Sequence, residues 1–254
     1  MATRYTFGDG DLAVHRIALV ARIYERTSRA FLARAAPVRP ALALDLGCGP
    51  GHTTRLLTDV CRPGRTLGVD ASDRYLAAAR TATGGDGEGI DYLRHDVTQV
   101  PLPGAPAGVI YARLVLAHLP EPLALAERWR GQLAAGGVLL LEEVEAIEAP
   151  AGVLADYERL VTALVAAEGG TMAIGPALGA ALGGATVEVP VDVADAARMF
   201  GLNLATWGPD AIRRGLAGAA EVERLADGLG GMAERPPGTG TVGWVLRQVS
   251  AGPV

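Results

Sequence analysis

Leu44-Asp45-Leu46-Gly47-Cys48-Gly49-Pro50-Gly51 is the stretch on which the reading of this chain turns. Its glycines follow the apolar run Ala41 to Leu46 and precede a helix-like segment from His52 to Val60. A glycine-rich turn between a buried strand and a helix is the layout of a nucleotide cradle at a strand's carboxyl end. Glycine tolerates the tight turn, its backbone lets a ligand approach closely, and the helix's first amides face that ligand. The spacing is G-x-G-x-G, not the G-x-G-x-x-G of dinucleotide folds, and no Lys-Ser or Lys-Thr pair follows as a P-loop requires. An NAD(P) oxidoreductase and an ATP site both lose ground.

Outward from the cradle, strand and helix signals alternate. Strands are expected at 41–46, 65–70, 90–94, 108–112 and 137–143, with helices at 73–82 and 122–134. Such alternation implies parallel strands joined by right-handed crossovers. Upstream, Leu12, Val14, Ile17, Leu19, Val20, Ile23 and Tyr24 recur largely at helical spacing, so one or two helices precede the first strand, closed by Pro37 and Pro40. Gly84, Gly85, Gly87 and Gly89 mark a loop. Downstream of Pro150 come an amphipathic helix at 151–168, a Gly/Ala-rich stretch at 169–184 and a β-like run at 185–193. Helical stretches near 194–206 and 209–229 and a strand at 241–249 close the chain. The expected fold is α/β: a doubly wound, mostly parallel, seven-stranded sheet in a single domain over 1–254. Within it lie an amino-terminal helical lid at 1–36, a core at 41–145, a helical insertion with the sixth strand at 150–235, and the last strand at 241–249.

Composition narrows the partners. The net charge is −5, and all 23 basic residues are Arg, scattered along the chain and forming no stripe. A polynucleotide substrate is disfavoured, because nucleic-acid binders gather cations on one face. Cys48 and Cys61 are too few for a disulfide framework and sit in no metal-ligand spacing, so no metal is expected. The start lacks a basic segment followed by an apolar one, and no uncharged run reaches membrane-spanning length. A cytoplasmic protein without a membrane partner, monomeric or homodimeric, is the expectation.

Asp70 ends the second strand about 20 residues past the glycines, where a carboxylate accepts hydrogen bonds from both hydroxyls of a ribose. With that residue in register, the chain resembles the class I S-adenosylmethionine-dependent methyltransferases. The matching segments are LDLGCGPG at 44–51, GVDAS at 68–72, RHDV at 94–97, YARLVLAHLP at 111–120 and LAAGGVLLLEEVE at 133–145. The resemblance implies S-adenosylmethionine as cofactor and S-adenosylhomocysteine as product. Gly47, Gly49 and Gly51 would approach its methionine part, Asp70 would hold the ribose and Ala71 would flank the adenine. Asp96 and the Val97 amide would meet the adenine edge, and Arg113 would lie beside the sulfonium and amino-acid end. Tyr5 and Phe7 are candidates to close over the cofactor, since an aromatic face favours a sulfonium.

A sulfonium donor needs little acid catalysis; the acceptor must be held in line with the methyl carbon, out of water, and one base serves it. His118, after the fourth strand, and Glu143, at the end of the fifth, are the candidate catalytic residues; strand alternation lets only one of Glu142 and Glu143 face the pocket. His15, Met172, Met199, Asn203 and Trp207 are the candidate substrate contacts, with Ile174 and Phe200 as further wall residues. Residues 110–113 read Ile-Tyr-Ala-Arg and not the Asn/Asp-Pro-Pro-Tyr/Phe of enzymes that methylate nucleobase or glutamine nitrogens. No Asp/Asn cluster for a metal-dependent catechol mechanism accompanies the fourth strand. The expected reaction is transfer to O, N or C of a small molecule, a secondary metabolite given the Ala-, Gly- and Arg-rich composition. The alternative is an enzyme on the same fold that keeps the cofactor without methylating, such as a cyclase.

Overall fold

The computed structural model describes residues 7–84, 89–236, 238 and 240–254, so Tyr5, Gly85 and Gly87 lie outside the described residues. Helix α1 (Asp11–Ala35) precedes β1 (Leu42–Leu46), α2 (His52–Cys61), β2 (Arg65–Asp70), α3 (Asp73–Thr83), β3 (Ile90–Arg94) and β4 (Ala107–Arg113). A 3₁₀ turn (Leu116–His118) leads to α4 (Pro122–Arg130) and β5 (Leu133–Glu148). Then follow α5 (Val153–Ala167), α6 (Gly175–Leu182), β6 (Ala185–Asp192), α7 (Val193–Arg213), α8 (Ala219–Ala233) and β7 (Thr241–Ala251).

The seven strands form one sheet in the order β3-β2-β1-β4-β5-β7-β6. β1 to β5 run parallel, and β7 alone is reversed, antiparallel to both β5 and β6. The sheet is therefore mostly parallel, as the alternation predicts. Chain direction across the sheet reverses between β1 and β4, which opens a crevice at their carboxyl ends. Strand alternation sends Ala43, Val109, Tyr111 and Leu140 toward α1 and α2, and Leu44, Leu46, Ile110 and Leu141 toward α4 and α6. Complete burial of each of these leucines is worth roughly 1.5–3 kcal/mol, so both faces anchor the cradle's base.

Three element expectations are corrected. The helix expected to reach residue 134 stops at Arg130, because the Ala107 amide donates to the Gln132 carbonyl and Leu133 pairs with Ala107. The strand expected at 137–143 runs from Leu133 to Glu148, since β7 pairs along its second half as far as Gly243. The two helices expected around a break at 207–208 are divided at 214–218 instead, and α7 runs unbroken through Pro209. An internal proline costs a helix about 3 kcal/mol. Here it lies between Trp207 and Ala211, both buried in the same apolar cluster as Phe200 and Leu204, which offsets that cost.

Candidate active site

Gly47, Gly49 and Gly51 all adopt positive φ, at 65°, 51° and 78°. A Cβ on Gly47 would stand 2.7 Å from Val115 Cγ2, and one on Gly51 would stand 2.5 Å from the Tyr92 hydroxyl. Conformation favours glycine at all three positions, and space excludes a side chain at Gly47 and Gly51. Beneath it, buried Asp45 accepts hydrogen bonds from Thr53 Oγ1 (2.7 Å) and Thr54 Oγ1 (2.6 Å), tying the first turn of α2 to β1. Burial pushes the Asp45 carboxyl up to about 6, against the opposing pull of these hydroxyls. Gly51→Ala is expected to cost about 1–2 kcal/mol from the left-handed backbone alone. At roughly 2–4 °C per kcal/mol the melting temperature should fall by several degrees; an unchanged melting curve would contradict the steric reading.

Asp70 joins two turns. Its Oδ2 accepts from the Gly49 amide (2.9 Å) and its Oδ1 from the Ser72 amide (2.8 Å), while burial raises its pKa. Each carboxylate oxygen keeps further acceptor capacity for a ligand hydroxyl. Ser72 caps α3, accepting from the Tyr75 amide at 3.2 Å. The amino-terminal segment is strapped across this region. Ser72 Oγ donates to Asp9 (2.7 Å), the Tyr75 hydroxyl donates to the Gly8 carbonyl (2.6 Å), and Arg74 pairs with Asp11 (2.7 Å). One strand over, Asp96 is exposed and accepts from the Thr98 amide and hydroxyl. Val97 is buried, its carbonyl taking the Trp129 indole N–H.

Arg113, at the end of β4, points toward α1. It donates to Ser28 Oγ (3.1 Å) and lies over the Tyr24 ring with its guanidinium 5.8 Å from the centroid. It also reaches a groove of about 480 Å³ between α1 and α2 that holds Arg22, Arg29, His52 and Arg55. Burial, with Arg55 and Arg113 nearby, pushes His52 down to about 4, so the ring is neutral and accepts from Arg55 at 2.9 Å.

On the opposite side of α1 lies a second cavity, of about 70 Å³, at the mouth of β4 and β5. Its polar lining is Arg16, His118, Glu143, Tyr157, Glu158 and Asn203; Phe7, Tyr24, Met172, Met199, Phe200 and Trp244 supply much of its apolar wall. Glu143 Oε1 accepts from the Val115 and Leu116 amides, both at 2.8 Å, which holds the loop after β4. Its Oε2 is buried with no hydrogen-bond partner among the described residues. Burial pushes the Glu143 carboxyl up to about 7, and the same cause with the Arg16 charge pushes His118 down to about 4. His118 meets the Phe7 ring edge-on at 5.2 Å, and the Arg16 guanidinium lies over the same ring, 5.0 Å from its centroid.

Residues 44–141, which contain the cradle, Asp70 and the turn after β4 with His118 but end before Glu143, match the family model described as a methyltransferase domain. Over those residues the chain is similar to methyltransferases. Trans-aconitate 2-methyltransferase of Rhizobium rhizogenes is 32% identical over 125 residues, 49% of this chain and 47% of that protein. The chain spans about half the length of the curated relatives it matches. Among solved structures, the cyclopropane synthase MmaA2 of Mycobacterium tuberculosis superposes with a TM-score of 0.55 at 16% identity, covering 99% of this chain and 90% of that one. The [4+2]-cyclase SpnF gives 0.54 at 19%, covering 91% and 82%. Both share the fold.

The fold brings Gly47, Gly49, Gly51, Asp70 and, beyond β3, Asp96 to one edge of the sheet, and sets His118, Glu143, Met172, Met199 and Asn203 around one cavity. Two expected substrate contacts are corrected. His15 is exposed on α1, because the inward stripe of that helix is Arg16, Val20 and Tyr24. Trp207 is absent from the cavity lining and packs in the core against Tyr157, at 5.6 Å between rings. Ile174 is likewise core, in the cluster on the α4 side of the sheet. Alternation at the end of β5 resolves the carboxylate pair: Glu142 turns away to accept from Tyr111 and Gln248, while Glu143 faces the cavity. Arg16, Tyr24, Tyr157, Glu158 and Trp244 were not foreseen as lining residues. The i, i+4 spacing of Arg16 with Val20 and Tyr24 was the signal for the first two, an arginine set into an apolar helix stripe.

Proposed function

We propose that the protein transfers the methyl group of S-adenosylmethionine to an oxygen, nitrogen or carbon of a small molecule by in-line displacement, without a metal. The observation that carries this is Asp70. It is hydrogen-bonded to the cradle at Gly49 and to the turn at Ser72, so a carboxylate for ribose hydroxyls is built into the glycine turn itself. The residues present fit the cofactor. Gly47 and Gly51 leave backbone open where a Cβ would clash, Gly49 holds the left-handed backbone of the turn, Asp96 and the Val97 amide stand beyond β3 for the adenine edge, and Arg113 offers a cation at the amino-acid end. When bound, S-adenosylmethionine supplies a methyl group activated by its sulfonium. Everything else falls to positioning: Phe7 and the strap over Ser72 and Tyr75 exclude water, and the cavity beside β4 and β5 holds the acceptor.

Glu143 is the general base of this reading and His118 a positioning residue. A carboxyl near 7 is matched to taking a proton at neutral pH, whereas an imidazole near 4 is a weak base there. The curated relatives' tricarboxylate suits this cavity less well. Among the described residues its lining carries one fixed cation, Arg16, beside two carboxyls, Glu143 and Glu158, and a triply charged guest would leave charge uncompensated. A secondary metabolite fits the mainly apolar wall. The test is incubation with S-adenosylmethionine and an acceptor panel. S-adenosylhomocysteine is expected to appear in step with methylated product, and conversion of an acceptor without it would replace the transferase by a cyclase-like reaction.

A further inference from the structure

Nearly all buried polar atoms in folded proteins are hydrogen-bonded, so an exception asks what completes it. Four side chains on the wall of the cavity carry such an atom with no partner among the described residues: Glu143 Oε2, Asn203 Oδ1, Trp244 Nε1 and the Tyr24 hydroxyl. Glu143 is 0% exposed, Trp244 4% and Asn203 7%. Glu143, Trp244, Asn203 and Tyr24 come from β5, β7, α7 and α1, so four separate elements leave unspent hydrogen-bonding capacity around one space. Their chemistry differs. The indole N–H only donates; the Asn203 amide already gives its N–H to the Tyr157 hydroxyl at 2.8 Å, leaving its oxygen to accept; Glu143 accepts when ionised.

The walls between them are flat or soft: Tyr157 stacked on Phe200 at 4.1 Å, with Trp244 tilted against Phe200 at 5.7 Å, and Met172 and Met199 beside them. Charge is scarce, since among the described residues the only fixed cation of the lining, Arg16, shares it with Glu158. A guest that satisfies all four atoms needs a flat apolar body, two hydrogen-bond donors, one acceptor oxygen whose two lone pairs take the indole N–H and the hydroxyl of Tyr24, whose ring meets that of Trp244 edge-on, and no net charge.

We propose that the acceptor is a neutral hydroxylated aryl ketone, with one hydroxyl on Glu143, a second donor on Asn203 and the carbonyl oxygen on Trp244 and Tyr24. This rests on the methyltransferase reading and names its substrate class. In the transfer, the hydroxyl proton passes to Glu143 Oε2 and the new O–C bond forms as the S–C bond breaks. The electron pair of that bond stays on sulfur, leaving a neutral thioether. The space now enclosed, about 70 Å³, is smaller than the roughly 150 Å³ that holds a benzene ring, so the ring enters only with movement of the Phe7 side chain at the end of the strap.

The test uses the full chain saturated with S-adenosylhomocysteine and titrated calorimetrically with 2,4-dihydroxyacetophenone, with trans-aconitate as the charged comparison. Saturable binding of the ketone and none of the tricarboxylate is expected. Trp244→Phe and Asn203→Leu should each weaken the ketone about tenfold while leaving S-adenosylhomocysteine affinity unchanged. Circular dichroism checks the fold of each variant, and either one that folds suffices. Absence of ketone binding, tighter binding of trans-aconitate, or ketone affinity indifferent to the substitutions overturns the substrate class alone. Failure of S-adenosylhomocysteine to bind the unaltered protein overturns the methyltransferase reading and this proposal with it.

Discussion

Asp70→Ala is expected to weaken S-adenosylmethionine binding by about 100-fold or more. A hydrogen bond to a charged acceptor is worth roughly 1.5–3 kcal/mol, and two ribose hydroxyls would lose theirs, so about 3 kcal/mol is the lower end. The structure adds a second loss. The Gly49 and Ser72 amides give up the acceptor that joins the turn after β1 to the turn after β2, so the cradle is also less well held before any ligand arrives. Asp70→Asn separates the two contributions. It keeps the shape and one acceptor oxygen but turns an NH₂ toward a backbone donor, and it should fall between the parent and the alanine variant. Calorimetric titration with S-adenosylmethionine reads both. Affinity unchanged in Asp70→Ala would refute the ribose assignment, while equal loss in both variants would assign the effect to charge.

The donor half of this site was legible because it is local. Gly47 to Gly51 and Asp70 lie within 24 residues, and a strand, a turn and a helix start force them together whatever the rest of the chain does. The acceptor half is not local. Glu143, Asn203 and Trp244 meet only because β7 inserts antiparallel between β5 and β6, carrying Trp244 back across from Ile147, and because α7 continues through Pro209. No periodicity announces that register. Trp207 and Trp244 are both aromatic residues in apolar surroundings, and the sequence offers no reason to prefer the one that lines the cavity to the one that packs in the core. His15 and Arg16 pose the same problem at one residue's separation. Helical phase alone decides between them, and α1 had to be fixed against α7 and β5 before that phase was known.

Glu143→Gln should lower turnover by roughly 100- to 10,000-fold, the range a general base contributes, with cofactor affinity near that of the parent. Glutamine suits the test because its carbonyl can still accept from the Val115 and Leu116 amides, which Glu143 Oε1 now does, so the loop after β4 stays in place. Only the unpartnered Oε2 changes, from a proton acceptor to an amide donor. The parent's turnover should rise with pH through about 7 as the carboxyl ionises, and the variant should lose that limb. Stability gives a second reading with the opposite sense. Burial raises the folded-state pKa of Glu143 from 4.5 to about 7, so the folded protein holds a proton that the unfolded chain has released. That contribution is complete below about 4.5 and is lost as pH rises through 7. Thermal melts of parent and variant should therefore converge at low pH. As pH rises the parent should give up stability that the variant keeps, because the variant has no charge to bury. A parent and variant with parallel melting profiles would place the Glu143 carboxylate in a solvated site, and a variant that turns over normally would leave positioning alone to carry the transfer.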